Sequence, residues 1–499
     1  MVNGGTKYGH VLKYMGLLGG VQGLTILISV IRNKCAALFI GVAGIGMVDL
    51  YYRTIELLGN ATNLGIPFSA IKKISELYEQ GDQSQLREAV MTVRTWAFGV
   101  GLLGTLVCCL CSPLIALWTL GDVEQYSAIC LLSPMILFML LYGSETAIMK
   151  GLRRLKDIAL VSVLGALVTL LVSIPLYYYA RLDGVIPVLL LSSCSLACIQ
   201  LFFSTRIYRW RIRLLDKTVL IRGKAMVLLG VTYVMAGIAG SGAEVAIRSY
   251  IKQVDSIEQV GLYSAAFVLC VTYSRLIFVA MDADYFPCLS AVGNDLKRMN
   301  ETINRQISVC VLLSAPGLCF FMILMPSIVC LLYTPSFLAM LPMAMAASFY
   351  LFLKAVTLPI AYLSLAKGDA FVYFCMELIY DVFFMACVIV GYTYWGLLGA
   401  GLALALANFF DLILIYVVYH VRYQFQFAGQ TLKQVCCQVV LVLAVWLILT
   451  CERAVWQYVL SGLVTAFSIG ISYYYLNREI HFATHLTHFL ARFKKKKDD

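Results

Sequence analysis

The chain has 499 residues, 61% of them hydrophobic and only 13% charged, with a mean hydropathy of +0.85 and a formal net charge of +11. A water-soluble globule of this size cannot cover so much apolar surface, because its outside must face water. The composition therefore excludes a soluble enzyme and points to lipid as the solvent.

Apolar runs long enough for the roughly 20 residues that a helix needs to cross the hydrocarbon core recur along the chain. They predict spans at 12–32, 36–59, 90–111, 124–144, 155–178, 184–204, 221–242, 258–282, 305–332, 339–365, 371–393, 396–421, 433–451 and 455–476. Fourteen spans make an all-α polytopic membrane protein. The first has no small-residue cleavage site behind it and reads as a retained helix. The second is unusual in carrying Asp49, Arg53 and Glu56. Segment 67–80 reads as a helix lying on the membrane: Pro67 suits its first turn, Ala70, Ile71, Ile74, Leu77 and Tyr78 form an apolar stripe, and Gly81 ends it. The tail repeats the pattern with Phe482, Leu486, Phe489, Leu490 and Phe493, and Lys494 to Lys497 suit anionic lipid headgroups.

Lys and Arg set the orientation. With both termini inside, 29 of the 38 fall in cytoplasmic segments and 6 on the other side, leaving Arg53, Arg275 and Lys354 within spans. The net charge is thus a membrane-orientation signal rather than a mark of nucleic-acid binding. Of the seventeen cysteines most lie in spans, and Cys108-x-x-Cys111 has no second pair to complete a metal or redox site. His481, His485 and His488 have ligand spacing, but they fit the polar face of an interfacial helix better. No G-x-x-x-x-G-K-[ST] loop occurs, so no ATPase is built in.

The chain repeats itself at roughly 215 residues. Arg32 before the second span parallels Arg248 before the eighth, Gly46 parallels Gly261, and "YYARLDGV" parallels "GYTYWGLL". Two six-helix lobes, 1–215 and 216–428, would be related by a parallel repeat, with 429–499 holding helices 13 and 14 and a basic cytoplasmic tail.

Ionisable residues at membrane depth are costly and are the candidates for function. The cations are Arg53, Arg275 and Lys354, with Lys13, Arg32 and Arg248 near span ends; the anions include Asp49, Glu56, Glu145, Asp282, Glu377, Asp381 and Asp411. Arg53 has acids three and four residues away on its own helix, so internal pairing competes with a ligand role. Arg275 and Lys354 have no such neighbour, which favours an anionic ligand for them. Glu377 and Asp381 share one face of the eleventh span and could bind a monovalent cation or a proton; neutralising Arg275 or Lys354 across the bundle is the other reading.

Specific stretches carry a family resemblance. "MGLLGGVQGLTILISVIRNKCAALFIGVAGIGMVDLY" with "LGNATNLGIPFSAIKKISELYEQGD" resembles the opening of Wzx-type polysaccharide flippases, members of the multidrug/oligosaccharidyl-lipid/polysaccharide exporter superfamily. "GLYSAAFVLCVTYSRLIFVAMDADYFPCLSAV" resembles the matching start of the second lobe. The resemblance covers roughly residues 8–425. It implies two lobes around a central cavity, alternating access, and a bacterial inner-membrane protein with cytoplasmic termini. It also implies an undecaprenyl-pyrophosphate-linked oligosaccharide as cargo, moved to the periplasmic leaflet for O-antigen or other surface polysaccharide, with polysaccharide-assembly proteins as partners. By helix, Arg53 and Arg275 match arginines that meet the pyrophosphate in the related peptidoglycan-precursor flippases, and Lys13 and Arg32 are looser matches. Tyr51, Tyr52, Tyr273 and Tyr350 are candidates to stack on sugars or to anchor at the interface. Coupling to Na+ or H+ is implied, with no other cofactor. Glu377 and Asp381 fit the eleventh-helix half of the relatives' sodium site, whereas the seventh span has no acid in its core, Glu244 lying beyond its outer end. The rival readings are a drug/cation antiporter of the same superfamily, which needs a cavity dominated by carboxylates, and an unrelated 6+6 transporter. A membrane-embedded polymerase or glycosyltransferase is a third, but it needs a larger periplasmic loop.

Overall fold

The computed structural model of the chain describes residues 4–214, 216–274, 278, 285–286, 288–293, 295–451 and 455–480. The architecture is all-α, with no strand among the described residues. The helices are α1 (Gly4–Phe39), α2 (Gly41–Thr62), α3 (Ile66–Gln80), α4 (Gln83–Leu110), α5 (Ser112–Leu120), α6 (Tyr126–Leu132), α7 (Pro134–Gly151), α8 (Leu155–Ala180) and α9 (Val185–Thr205). They continue with α10 (Lys217–Val254), α11 (Ile257–Phe267), α12 (Leu296–Leu332), α13 (Leu341–Ala347), α14 (Phe349–Ala366), α15 (Ala370–Tyr423), α16 (Gly429–Thr450) and α17 (Val455–Ile480). A π-helical turn, Val268–Thr272, follows α11.

Each of the fourteen expected spans falls mainly on helix among the described residues, with breaks at residue 40 in the second, Ser133 in the fourth and Ser348 in the tenth, and the eighth is described without a break as far as residue 274. Among the described residues nine stretches are long and apolar enough to cross a membrane, and two of them, Leu155–Thr205 and Phe371–Tyr423, have the length for two passes each. Leu103, Leu110, Leu171, Leu331, Val421 and Phe467 are all more than half exposed. In a chain with this many apolar helices such side chains face hydrocarbon, so exposure is no liability here. The protein is a multi-pass membrane protein.

The turns that divide the two long stretches lie at Arg181 (φ 48°, ψ −123°) and Gly396 (φ 57°, ψ −139°), which are 215 residues apart. The same spacing separates Ser133 from Ser348, the breaks between α6 and α7 and between α13 and α14. Ser133 donates its hydroxyl to the Cys130 carbonyl (2.8 Å), and Ser348 to the Met345 carbonyl (2.7 Å). It separates Arg153 (φ 57°) from Gly368 (φ 77°) as well. The N–H groups of Leu152, Arg153 and Arg154 bond to the carbonyls of Ile148, Lys150 and Met149; those of Lys367, Gly368 and Asp369 bond to Leu363, Leu365 and Ser364. The repeat therefore persists in backbone shape and hydrogen bonding where the residue types have changed. Arginine holds at 181 and 153 a left-handed conformation that glycine adopts without strain at 396 and 368.

By proximity the chain forms two compact units, residues 1–264 with 330–337 and residues 265–329 with 338–499. The lobes read from the repeat divide the chain by order, and these units divide it by contact. In unit 1, α7 packs on α3, α4 and α9, α1 packs on α8, and α10 packs on α2 through α5. In unit 2, α13 and α14 pack along α15, and α16 pairs with α17. Ile303, Ile307, Val311 and Leu318 of α12 share one buried cluster with Phe352, Val442 and Val445.

α3 is a helix as expected, ended by Gly81 at φ 76°. Its apolar stripe, however, does not lie on lipid: Ile66, Ala70, Ile74 and Leu77 are buried in a core shared with Val90, Val93, Ala147 and Ile148. The α4–α7 pair offers a closer-packed apolar partner than the bilayer surface does. Of the large apolar side chains of α3, Phe68 and Tyr78 are the exposed ones. Asp82 starts α4 by accepting from the N–H groups of Ser84 and Gln85, both at 3.0 Å. The His481, His485 and His488 spacing, the Phe482–Phe493 stripe, Lys494 to Lys497 and Asp282 lie outside the described residues.

Candidate functional site

Charged side chains at membrane depth must be paired or must face a polar ligand, and they identify the sites. The largest group lies in unit 1 on α2, α10 and α11. Arg248 is fully buried; its Nε is ion-paired with Asp49, and its Nη1 donates to the Glu244 carbonyl (3.0 Å) and lies 3.6 Å from the Glu244 carboxylate. Its guanidinium sits 5.4 Å from the Tyr263 ring centre. Ser264 donates its hydroxyl to Asp49 at 2.6 Å. Arg53 lies one turn along α2 from Asp49. Its Nη1 is 2.9 Å from Glu56 and 3.1 Å from Glu244, and its Nε is 3.6 Å from Asp49. Two guanidinium groups thus meet three carboxylates, and the side chains of Arg53, Glu56 and Glu244 retain about a fifth to a quarter of their exposure.

The crossing that brings these helices together is made by glycine. A methyl group on Gly46 of α2 would fall on the Ile257 carbonyl and lie 2.8 Å from the Gly261 nitrogen, and one on Gly261 would fall on the Val42 carbonyl. Backbone lies against backbone at that point, which glycine alone permits. Gly46 and Gly261 are the two glycines matched by the sequence repeat, and Asp49 and Ser264 stand at the same spacing. Repeat-equivalent residues therefore touch each other here.

The sequence placed Arg248 near the outer end of a span and Glu244 beyond the outer end of the seventh. In the structure α10 runs on to Val254, so both lie within the helix, and Arg248 is buried. The apolar count ended the span at 242 because Glu244, Arg248 and Lys252 lower hydropathy, but the cross-helix pairs satisfy two of those charges.

The second group lies in unit 2. Lys354 of α14 has no acid on its own helix face, and the sequence left open an anionic ligand or an acid across the bundle, Glu377 or Asp381. Lys354 has an acid across the bundle: Nζ is 3.0 Å from Asp411 of α15. The ammonium also lies 4.7 Å from the Tyr380 ring centre, and Asn408 donates Nδ2 to the Tyr380 hydroxyl at 3.2 Å. Glu377 and Asp381 lie on α15 one turn apart, Glu377 hydrogen-bonded by Tyr373 and within electrostatic reach of Lys354. Asp411 was recognisable in the sequence as an acid at depth. Its pairing with Lys354, 57 residues away, was not.

A third pair is structural. Arg94 and Glu145, each 1% exposed, form a two-pronged ion pair at 2.7 and 2.9 Å. Arg94 also donates to the carbonyls of Tyr208 and Arg209 (2.8 and 3.0 Å), so it ties the segment after α9 to α4 and α7. Of the remaining candidates, Arg32 lies on α1 within electrostatic reach of Tyr52 and Tyr177. Lys13 lies in α1 with its side chain outside what is described, and Arg275 lies outside the described residues. Tyr51 and Tyr350 are buried and Tyr52 is exposed. All seventeen cysteines are free thiols, and no group of three or more His, Cys, Asp or Glu among the described residues is placed to hold a metal ion.

An all-helical, multi-pass chain with an internal repeat and ion networks at membrane depth has the architecture of a membrane transporter, not of an enzyme. Residues 35–342, more than half of the chain, match the polysaccharide biosynthesis protein family, and the chain belongs to that family. No curated protein matches it in sequence. Among solved structures it is similar to the lipid II flippase MurJ in an inward closed conformation, with a TM-score of 0.72 and 14% identity over 93% of this chain and 99% of that one. An inward-facing multidrug resistance MATE family transporter of the MOP superfamily gives 0.67 and 14% over 80% and 94%. A MOP superfamily transporter from Pyrococcus furiosus gives 0.58 and 13% over 82% and 95%. The fold is that of this superfamily.

Proposed function

We propose that the protein is a flippase carrying an undecaprenyl-pyrophosphate-linked oligosaccharide from the cytoplasmic to the periplasmic leaflet of a bacterial inner membrane. The glycan is destined for O-antigen or another surface polysaccharide. The family supports polysaccharide synthesis, and the fold is shared with a protein that flips a lipid. A pyrophosphate with sugars cannot cross hydrocarbon unaided, because each unsatisfied charge and hydroxyl is expensive there.

The observation that carries this reading is the state of Arg53. Its guanidinium is partly exposed and divided among three carboxylates on two helices, none of which holds it in a two-pronged pair. Such an arginine can exchange Glu56 and Glu244 for a pyrophosphate, which offers the bidentate geometry it lacks. Arg248, fully buried, positions Asp49 and Glu244 instead of meeting cargo. In this reading Arg32, Lys13 and Arg275 extend the cationic surface, and Glu377 and Asp381 take the coupling cation or proton. The lobes are 1–215 and 216–428, with 429–499 appended and both termini cytoplasmic. Membrane lipids and polysaccharide-assembly proteins are the partners.

In a flippase-deficient strain, Arg53→Ala at normal abundance should cut periplasmic lipid-linked glycan at least about tenfold, and Arg53→Lys should restore part of it. Export at the wild-type level in Arg53→Ala would remove the pyrophosphate contact. One observation favours a second reading: in the network of Arg53 and Arg248 three carboxylates outnumber two arginines, as a drug/cation antiporter would need. Cation efflux that survives Arg53→Ala and fails in Glu56→Gln, with no glycan exported, would establish that reading.

A further inference from the structure

Asp411 and Asn408 raise a question that their ion pair does not answer. Asp411 is 4% exposed and Asn408 is fully buried, three residues earlier on the same helix. Asn408 commits Nδ2 to the Leu404 carbonyl (2.8 Å) and to the Tyr380 hydroxyl (3.2 Å), which fixes the orientation of the amide. Its Oδ1 is left buried with no donor. A buried acceptor without a donor is costly and is seldom kept without a use. One turn along the same helix is the Asp411 carboxyl group, and Tyr380 carries the hydroxyl that Nδ2 meets. A carboxylate oxygen, an amide oxygen and an aromatic face are each groups that can hold a dehydrated monovalent cation.

We propose that Asp411, Asn408 and Tyr380 form a monovalent-cation site in unit 2, and that Lys354 fills it with its own tethered ammonium. The ammonium has the charge of an alkali ion, touches the carboxylate at 3.0 Å and lies over the ring at 4.7 Å. It differs in two respects. It cannot dissociate from α14, and its N–H groups leave the Asn408 oxygen unused where a bare cation would draw it in. The site is therefore closed to sodium or potassium while Lys354 occupies it. Lys354 is the residue that decides whether this site needs an external cation, apart from Glu377 and Asp381. This inference rests on no assumption about cargo.

The test is thermal unfolding of the detergent-solubilised full chain in sodium chloride and in choline chloride, the choline ion being too large for the site. Lys354→Met should gain a saturable sodium-dependent rise in melting temperature of several degrees. Lys354→Met with Asp411→Asn should lack that gain, and wild type should show no sodium response that Asp411→Asn abolishes. Adding Glu377→Gln and Asp381→Asn to Lys354→Met should leave the gain in place, which separates this site from the other acids of α15. A Lys354→Met protein no more sodium-responsive than wild type overturns the proposal, as does a gain that survives Asp411→Asn. Should Lys354→Met be recovered poorly, Lys354→Ala extracted in methylammonium chloride supplies the ammonium from solution. Recovery in methylammonium or sodium but not in choline supports the site, and equal recovery in all three overturns it.

Discussion

Arg248 offers the sharpest separation of a positioning residue from a cargo-binding one. Its side chain is fully buried, its Nε is paired with Asp49, and its Nη1 bonds to the Glu244 carbonyl at 3.0 Å. Arg248→Ala removes one of the two arginines that face three carboxylates and leaves Asp49 with Ser264 and a distant Arg53 at 3.6 Å. Stranding a buried charge in this way costs about 3–5 kcal/mol, roughly two to four powers of ten in the ratio of folded to unfolded protein. That is between about a fifth and the whole of a stability margin of about 5–15 kcal/mol. The assay is fluorescence-detected gel filtration of membrane extracts after a temperature ramp, read beside leaflet-resolved glycan. Arg248→Ala should lower both the melting midpoint and the abundance. Arg248→Met combined with Asp49→Leu, which removes both partners, should restore much of the midpoint without restoring export. Arg53→Ala should lose export with far less effect on the midpoint, since its side chain is 21% exposed. An Arg248→Ala protein that is as stable as wild type and defective only in export would refute the assignment of Arg248 as a positioning residue.

Gly46→Ala and Gly261→Ala should each destabilise by about 1–3 kcal/mol, because the added methyl lands on backbone of the facing helix, whereas Gly59→Ala, which meets nothing within 4 Å, should be neutral or gain up to about 1 kcal/mol. Equal midpoints for all three would contradict the close crossing. The Asp82 carboxyl, outside the spans, is held below its ordinary value by the Gln85 N–H first and the Ser84 hydroxyl next. A depressed carboxylate contributes above the ordinary carboxylate range and stops contributing as pH falls through its lowered value. Hydrogen-exchange protection over residues 84–88 should therefore hold from pH 7 to pH 5 and weaken below about pH 4, a dependence that Asp82→Asn should abolish. Reporter fusions after Lys224 and after Asp499 should both read cytoplasmic, and a periplasmic signal at either would shift the orientation assigned from 29 inside and 6 outside Lys and Arg.

The all-α, many-span architecture, the α3 helix and the 215-residue repeat were all legible in the sequence, because the bilayer imposes a hydropathy threshold and a span length on local composition alone. Gly46 and Gly261 were visible as a matched pair of glycines for the same reason that the spans were: each is a local pattern, and the repeat doubles it. That they touch is a fact of helix crossing, which depends on shape along two surfaces at once. The ions divide in the same way. Spacing on one helix revealed Arg53 with Asp49 and Glu56, since three and four residues return to the same face. Tertiary structure alone decided that Glu244 and Arg248 join them from α10 and that Asp411 reaches Lys354 across the bundle. It also decided that the α3 stripe faces protein instead of lipid. An electrostatic partner is set by distance in space, and a chain folded into helices brings together residues whose separation in sequence carries no trace of that distance.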